Sequence, residues 1–254
     1  MTKVISIHSF RGGTGKSNIS ANVSSLLAQE GLRVGVVDGD IQSPGIHRLF
    51  SVAGKDLTLC LNHYLWGEAP IDRIAMDVTP NLGPTIKGKV FLLPSSIKAN
   101  EIARVLKDRY DPGVLSQAFK AFIKACDLDV LMVDTHPGLN EETLLSLVLS
   151  DALGLVMRPD EQDYEGTAVT VEVARKLEVE QMHIILNKLP SVFDEQQVKA
   201  RIEDAYRCPL AGIVPHSDDL MILSSDGVFS LRFPDHPLAA RFRQIAYALY
   251  NGGE

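Results

Sequence analysis

The chain has 254 residues, of which 45% are hydrophobic and 22% charged, a composition typical of a folded globular protein and unlike that of a disordered one. Its formal net charge of −7 argues against a polyanion-binding surface over the whole molecule, although a local basic face remains open. The three cysteines lie far apart without a CxxC pair, which argues against disulfides and zinc or iron–sulfur sites and favours the reducing cytoplasm.

Short apolar runs alternate with amphipathic stretches along the chain. Seven runs have the length and β-branched content of buried strands: Val4–His8, Val34–Val37, Val90–Pro94, Val130–Val133, Leu153–Met157, His183–Leu186 and Leu210–Val214. Helical patterns cover Ser17–Gln29, Asn100–Leu106, Leu115–Ala125, Glu142–Leu149, Glu165–Leu177, Glu195–Ala205 and about Leu238–Tyr250. Residues 51–88 are less regular, and their composition indicates loops around one or two short helices.

This alternation predicts an α/β fold with three layers. The expected sheet is mostly parallel and twisted, with about seven or eight strands and helices on both faces. We expect residues 1–254 to form a single domain, because α/β domains of this length are common. Ligands of such folds bind at the carboxyl ends of the strands, so the residues directly after each strand are the candidate site.

The first strand is followed by a glycine-rich segment, Phe10-Arg11-Gly12-Gly13-Thr14-Gly15-Lys16-Ser17, and then by an amphipathic helix. Glycines allow backbone N–H groups to turn toward a polyphosphate, and the helix N-terminus adds partial positive charge. We therefore predict that a nucleotide binds to Gly12, Gly13, Thr14, Gly15, Lys16, Ser17 and Asn18. Lys16 would contact the β- and γ-phosphates, and the Ser17 hydroxyl would ligate Mg²⁺.

The segment from Arg11 to Ser17 resembles the deviant Walker A box of the ParA/MinD family of positioning ATPases. The resemblance extends from Lys3 through the final helix and implies a P-loop fold, binding of ATP and Mg²⁺, and a homodimer in the ATP state. The family normally has a lysine in place of Arg11, and that lysine reaches the phosphates of the partner subunit. Arg11 keeps the positive charge of the lysine, but its side chain is longer and ends in a planar guanidinium group. The sequence therefore does not fix the rate of hydrolysis.

Two acidic residues, Asp38 and Asp40, follow the second strand. At this distance from the P-loop they match the second nucleotide motif of the family. The resemblance implies that Asp40 orients or activates the attacking water, and that Asp38 supports the lysine or the water shell of the metal ion.

The run Val130–Val133 ends in Asp134, the type of residue that holds Mg²⁺ directly or through a water in P-loop proteins. Gly138, in the loop that follows, gives the backbone the freedom to act as a switch beside the γ-phosphate. His136 lies in the same loop, and we assign it no role because a lone loop histidine is more often an ordinary polar residue.

Two later strand ends bear on the base of the nucleotide. The resemblance implies that Asn187 reads the adenine amino group and that the base packs near Pro215, although both positions would also suit ordinary turns. Guanine-specific sites typically have an acidic residue in the pattern Asn/Thr-Lys-x-Asp. The segment Asn187-Lys188-Leu189-Pro190 lacks that acid, so ATP is favoured over GTP.

Members of this family have different functions, and some of these functions require residues that this sequence lacks. Iron–sulfur cluster carriers need cysteine pairs, which are missing here. The resemblance therefore favours an ATPase that partitions or positions a cargo with the help of an adaptor or ATPase-stimulating partner. Two alternatives stay open: an ATP-dependent ligase or synthetase of the same fold, and an ATP-binding regulatory module that hydrolyses weakly because Arg11 replaces lysine.

The surface on which such an ATPase would cycle is nucleoid DNA or a membrane. Arg232, Arg241 and Arg243 would suit a DNA-binding patch, or they are solvated charges that cover the last helix. That helix is not followed by a lysine-rich extension of the kind that binds lipid, so a membrane is the less favoured surface.

Overall fold

The computed structural model describes residues 1–108 and 110–252. Within these residues the strands form one sheet of eight: β1 (Lys3–His8), β2 (Arg33–Gly39), β3 (Met76–Asp77), β4 (Lys89–Leu93), β5 (Val130–Thr135), β6 (Ala152–Met157), β7 (Gln181–Leu189) and β8 (Leu210–Pro215). Their order is β3-β4-β2-β5-β1-β6-β7-β8, and every neighbouring pair is parallel except β3 with β4. The seven predicted strands are confirmed, and the mostly parallel sheet is the one expected.

The α-helices are α1 (Lys16–Gln29), α2 (Leu61–Leu65), α3 (Ile71–Ile74), α4 (Ala99–Asp108), α5 (Pro112–Cys126), α6 (Glu141–Val148), α7 (Glu161–Lys176), α8 (Glu195–Tyr206), α9 (Asp218–Leu223), α10 (Phe229–Arg232) and α11 (Pro237–Asn251). Each of the predicted helical patterns lies on one of them. The segment 51–88 holds α2 and α3, as expected, together with the unpredicted β3.

Helices cover both faces of the sheet because the side chains of its central strands alternate between two apolar layers. Met132 of β5 packs in the hydrophobic cluster that contains the buried residues of α1 and α11. Its neighbours Leu131 and Val133 pack in the cluster that contains the buried residues of α5. A third cluster joins β6, β7 and β8 to α7 and α8. Since β5 is buried on both faces, its sequence is a continuous apolar run rather than an alternating one.

The register of the central strands brings three strand ends together. Asp134 of β5 lies beside Ile7 of β1 on one side and beside Asp38 of β2 on the other. The glycine-rich segment begins directly after β1, so it shares this carboxyl edge with both acidic residues. The fold therefore assembles the candidate site from segments that are far apart in sequence.

No helix in residues 1–108 or 110–252 is long and apolar enough to span a membrane.

Candidate functional site

The glycine-rich segment forms a loop that opens directly into α1. Gly13 and Gly15 have φ angles of 76° and 99°, in the left-handed region that favours glycine. Gly15 is the N-cap of α1, and no side chain caps the helix or places a negative charge in its first turn. A Cβ atom at Gly15 would overlap the carboxamide of Asn187. The loop therefore leaves the N-terminus of α1 without a competing acceptor, as an anion-binding site requires.

Lys16 is the buried cation of this loop. Its side chain is 7% exposed, and Nζ donates a hydrogen bond to Ser9 Oγ at 3.1 Å. Burial lowers the pKa of Lys16, and the negative charges of Asp134 and Asp40 act in the opposite direction. A buried ammonium group has a large desolvation cost, which a bound phosphate would offset. The position of Lys16 thus fits the predicted contact with a polyphosphate.

Asp134 and Asp38 are buried neighbours on adjacent strands. Burial raises the pKa of Asp134 to about 6, although the hydroxyls of Ser17 and Ser20 and the charge of Lys16 favour its ionised form. Burial raises the pKa of Asp38 as well, and the nearby charges of Asp134 and Asp40 add to the increase. A divalent cation bound beside Asp134 and Asp38 would stabilise the ionised form of both carboxyl groups.

The contacts of these two carboxylates fit a magnesium–nucleotide site. Ser20 Oγ donates to Asp134 Oδ1 at 3.1 Å, and Asp38 Oδ2 accepts from the backbone N–H of Gly45 at 3.1 Å. Among the described residues, Asp38 Oδ1 has no hydrogen-bond partner. Asp134 and Ser17, which the sequence predicts to hold Mg²⁺, are neighbours in the structure, because the Ser17 hydroxyl hydrogen-bonds to Asp134.

Asp40 lies in the turn after β2, where its Oδ1 atom accepts two hydrogen bonds. One comes from the backbone N–H of Ser43 at 3.0 Å, and the other joins it to Nδ1 of His136 at 2.7 Å. The sequence alone gave no reason to assign His136 a role, and the structure places it in contact with Asp40. The signal that could have identified it is the register of β2 and β5, since Asp40 and His136 each lie two residues beyond the paired Asp38 and Asp134.

Arg11 stands at the outer side of the loop. Its side chain is 42% exposed, and its Nη1 atom lies 3.8 Å from Asp160 Oδ1 at the start of α7. Asp160 is closer to Arg158, at 3.1 Å. An exposed ion pair of this length contributes little stability, so Arg11 is free to change partners.

Phe10 anchors the same loop to α7. A Cβ atom at Gly166 of α7 would overlap the Phe10 ring, so the glycine is what allows the aromatic ring to lie against the helix. Phe10 replaces the first glycine of the general P-loop pattern. Its ring packs against α7 at Gly166, a contact that a glycine at position 10 could not make.

A cavity of about 480 Å³ adjoins the loop, lined by residues that include Gly15, Asn18, Asn187, Lys188 and Pro215. The structure thus brings the residues predicted to bind the base into one place. Asn187 Nδ2 donates to Thr14 O at 2.6 Å, and Oδ1 accepts from the N–H of Lys188 at 2.9 Å. The carboxamide keeps a second N–H and a second lone pair for a ligand.

Lys188 is a further contact that the sequence reasoning missed. Its Nζ atom donates to Gly13 O at 2.9 Å, and its φ angle is 61°. The backbone turn at this position directs the side chain back over the P-loop. The sequence shows only that Lys188 follows Asn187, which does not predict this contact.

The predicted basic patch is partly neutralised. Nη2 of Arg241 donates to both carboxylate oxygens of Glu195 in α8, to Oε1 at 3.0 Å and to Oε2 at 2.8 Å. Arg243 Nη2 donates to the backbone carbonyl of Pro234 at 2.9 Å. The pair with Glu195 offsets the charge of Arg241, whereas the carbonyl contact leaves the charge of Arg243 unchanged.

His8 lies beneath the loop, at the end of β1, and is fully buried. The Thr135 hydroxyl donates to Ile7 O at 3.0 Å, so Nδ1 of His8 must be the donor in its 2.7 Å contact with Thr135 Oγ1. Its Nε2 atom has no partner among the described residues. Burial lowers the pKa of His8 to about 3, and the charges of Lys16 and His136 add to the effect. The folded protein therefore holds His8 neutral.

This neutral histidine predicts an acid-sensitive component of stability. Because the pKa of His8 is lower in the folded state than its ordinary value of 6.5, the unfolded state binds a proton that the folded state does not. Stability is therefore lost as the pH falls from about 6.5 toward 3, by about 1.4 kcal/mol per pH unit.

The matched control is His8→Asn, whose amide keeps a donor for Thr135 but does not titrate. In urea titrations between pH 6 and 4, the wild-type protein should lose about 2–3 kcal/mol relative to this variant. Parallel pH profiles for the two proteins would contradict the assignment.

Comparison with known proteins gives one family match over nearly the whole chain. The model of the ParA family, described as NUBPL iron-transfer P-loop NTPase, matches residues 1–250. An uncharacterised ATP-binding protein of Methanocaldococcus jannaschii is 28% identical over 250 residues, which cover 98% of this chain and 88% of the relative. An iron–sulfur cluster carrier protein of Saccharolobus solfataricus is 25% identical over 256 residues, covering 95% and 81%.

A solved structure shares the fold. The septum site-determining protein MinD of Pyrococcus horikoshii, in complex with Mg-ADP, superposes with a TM-score of 0.81 and 22% sequence identity. The match covers 98% of this chain and 96% of that one. This likeness confirms the predicted three-layer α/β arrangement with a mostly parallel sheet.

Proposed function

Because the chain belongs to the ParA family of P-loop NTPases, whose model matches residues 1–250, we propose that it is a Mg²⁺-dependent ATPase that dimerises with ATP and positions an intracellular cargo. It does so as a single domain in the cytoplasm. One observation carries the proposal: the buried Lys16, Asp38 and Asp134 meet at one edge of the sheet, with Asp40 beside them and Arg11 exposed outside.

The cofactors of this ATPase are ATP and Mg²⁺. The P-loop and Lys16 bind the phosphates, while Ser17 and Asp134 hold the metal ion, which when bound offsets the charge that develops on the transferred phosphoryl group. Asn187 and the wall that contains Pro215 bind the base, and ATP is preferred because the segment after Asn187 lacks the acidic residue typical of guanine sites.

Asp40 is the residue that acts on the attacking water. Its Oδ1 atom already accepts from Ser43 and His136, so Oδ2 is the oxygen that accepts the water proton. Asp38 supports this arrangement by fixing the turn after β2 through the N–H of Gly45. In this type of reaction, positioning and charge stabilisation supply most of the rate acceleration.

Arg11 completes the site of the partner subunit. It is the exposed cation of the loop, and its pair with Asp160 is long enough to be exchanged for a phosphate of the partner. ATP binding thereby favours the dimer, and hydrolysis removes the phosphate that holds Arg11.

Arg11→Ala is therefore expected to abolish dimerisation with ATP. Removing one partner of a buried charged pair costs about 2–5 kcal/mol, so the dimer dissociation constant should rise at least about 30-fold. The measurement is multi-angle light scattering in Mg-ATP, in an Asp40→Ala background that slows hydrolysis.

Arg11→Lys is the matched control, because it keeps the charge and restores the residue usual in the family. It should dimerise. A dimer of Arg11→Ala as stable as that of the parent protein would show that Arg11 does not act across the interface.

The cargo is reached through an adaptor or an ATPase-stimulating partner, and the favoured surface is nucleoid DNA. The apolar face of α11 is buried in the core, since Leu238, Phe242, Ile245 and Leu249 are each at most 3% exposed. It is therefore not available to insert into lipid, which makes a membrane the less favoured surface. Because Arg241 is paired with Glu195, DNA binding depends on additional basic residues of the dimer.

Transport of iron or an iron–sulfur cluster is the second candidate, because the family description and the Saccharolobus solfataricus relative name it. The cysteines of this chain do not support it. Cys60, Cys126 and Cys208 are each buried in a different hydrophobic cluster. Burial raises the pKa of all three thiols, that of Cys60 to about 11. Anaerobic reconstitution with iron and sulfide decides between the two, and stoichiometric cluster binding would favour the carrier.

A further inference from the structure

The carboxylate of Asp40 is held from one side only. Both of its hydrogen bonds, from Ser43 N–H and His136 Nδ1, end on Oδ1. Within the described part of the chain, Oδ2 has no hydrogen-bond partner. Because an ionised carboxylate only accepts, Nδ1 of His136 must carry the proton in this contact. The imidazole is therefore a donor that fixes the orientation of the carboxylate.

The loop that carries His136 is itself fixed at several points. The carbonyl of His136 accepts from Thr143 Oγ1 at 3.3 Å, and the N–H of Thr143 bonds to Asn140 Oδ1 at 2.8 Å, at the start of α6. Two residues after His136, the N–H of Gly138 donates to Ser9 O at 3.1 Å. The imidazole thus connects Asp40 to a loop that is tied both to α6 and to the P-loop.

An ordinary surface ion pair would not have these properties. The side chains of His136 and Asp40 are 23% and 18% exposed, and their contact of 2.7 Å is short. The hydrogen bond from Ser43 alone would leave the Asp40 carboxylate free to rotate. Two donors on the same oxygen define where the second oxygen lies.

We propose that His136 is a positioning residue for ATP hydrolysis, which holds Asp40 through Oδ1 and so keeps Oδ2 available as the acceptor for the attacking water. The inference rests on the proposed ATPase function and adds to it a residue of the loop after β5. His136 acts through Asp40 and does not itself contact the reacting atoms. Its contribution is therefore expected in the rate of hydrolysis and not in the affinity for ATP.

Two variants of nearly equal shape separate the hydrogen bond from the packing. In His136→Asn the amide nitrogen takes the place of Nδ1 and can still donate to Asp40, whereas His136→Leu has the same branching without a donor. We expect kcat to fall about tenfold in His136→Leu, the effect of losing one hydrogen bond to a charged group. His136→Asn should keep at least about a third of the wild-type kcat, with KM for ATP within about twofold in both variants.

A double-variant cycle tests whether His136 acts through Asp40. In an Asp40→Ala background, His136→Leu should lower single-turnover hydrolysis no further, since the group that it positions is missing. The proposal is overturned if His136→Leu keeps the wild-type kcat, if the Asn and Leu variants lose the same activity, or if the Leu substitution is fully additive with Asp40→Ala.

Failure of the ATPase function itself gives a different result. In that case the wild-type protein binds ATP but does not hydrolyse it. If instead the protein is an ATPase and only the role of His136 is wrong, wild type and His136→Leu hydrolyse ATP at equal rates.

Discussion

Lys16→Ala is expected to abolish ATP binding and hydrolysis. Lys16 is the buried cation of the P-loop, and burial lowers its pKa because the ammonium group is removed from water. A bound phosphate would offset this loss of solvation. Loss of this charged donor should weaken ATP affinity at least about 100-fold, which corresponds to about 2.7 kcal/mol. Hydrolysis should fall by about 10³-fold or more, because the same group stabilises charge in the transition state.

Isothermal titration calorimetry with Mg-ATP measures the affinity directly. Lys176→Ala is the control, because Lys176 is an exposed lysine at the end of α7 that pairs with Glu172. It should bind ATP as the wild type does. Undiminished affinity in Lys16→Ala would mean that the nucleotide does not bind to this loop.

Asp40→Ala is expected to stop hydrolysis while leaving ATP binding intact. Asp40 is tied to Ser43 and His136, and its second oxygen is the group that we assign to the attacking water. Removing a group that orients or activates the nucleophile typically lowers the rate by about 10²–10⁴-fold. ATP affinity should stay within about threefold, because phosphate binding depends on the P-loop and Lys16.

Single-turnover hydrolysis and calorimetry together test this separation. Asp40→Asn keeps an acceptor for Ser43 but lacks the charge, and it should be almost as inactive as the alanine variant. Asp72→Ala, at an exposed position in α3, serves as the unaffected control. An Asp40→Ala protein that hydrolyses ATP at the wild-type rate would remove Asp40 from the mechanism.

The main elements were predictable because buried parallel strands leave a distinct pattern. A run such as residues 130–133 is apolar at every position, and its short length and β-branched valines favour a strand that is covered on both faces over a buried helix. The glycine-rich segment after β1 likewise predicted a phosphate loop, since glycines allow backbone N–H groups to turn toward a phosphate. In the structure, Gly13 and Gly15 have positive φ angles. The strand β3 was missed because two residues, Met76 and Asp77, are too few to show a period.

Contacts between segments were not predictable in the same way. The bond between Asp40 and His136 depends on β2 and β5 being neighbours in a known register, and the sequence alone does not give the order of the strands. The contact of Lys188 with Gly13 depends on a left-handed backbone turn at a lysine. The neutralisation of Arg241 by Glu195 joins α11 to α8, two helices whose packing no local pattern specifies.

Cycling on a surface requires that the ATP-bound dimer binds DNA and that the ADP-bound protein does not. The most direct test is an electrophoretic mobility shift assay of the Asp40→Ala protein with non-specific DNA, in Mg-ATP and in Mg-ADP, over a series of salt concentrations. We expect binding in ATP only, with an affinity that falls steeply as salt increases, because each phosphate contact releases a counterion. Absence of DNA binding by a protein that still binds ATP, or equal binding in ATP and ADP, would contradict it.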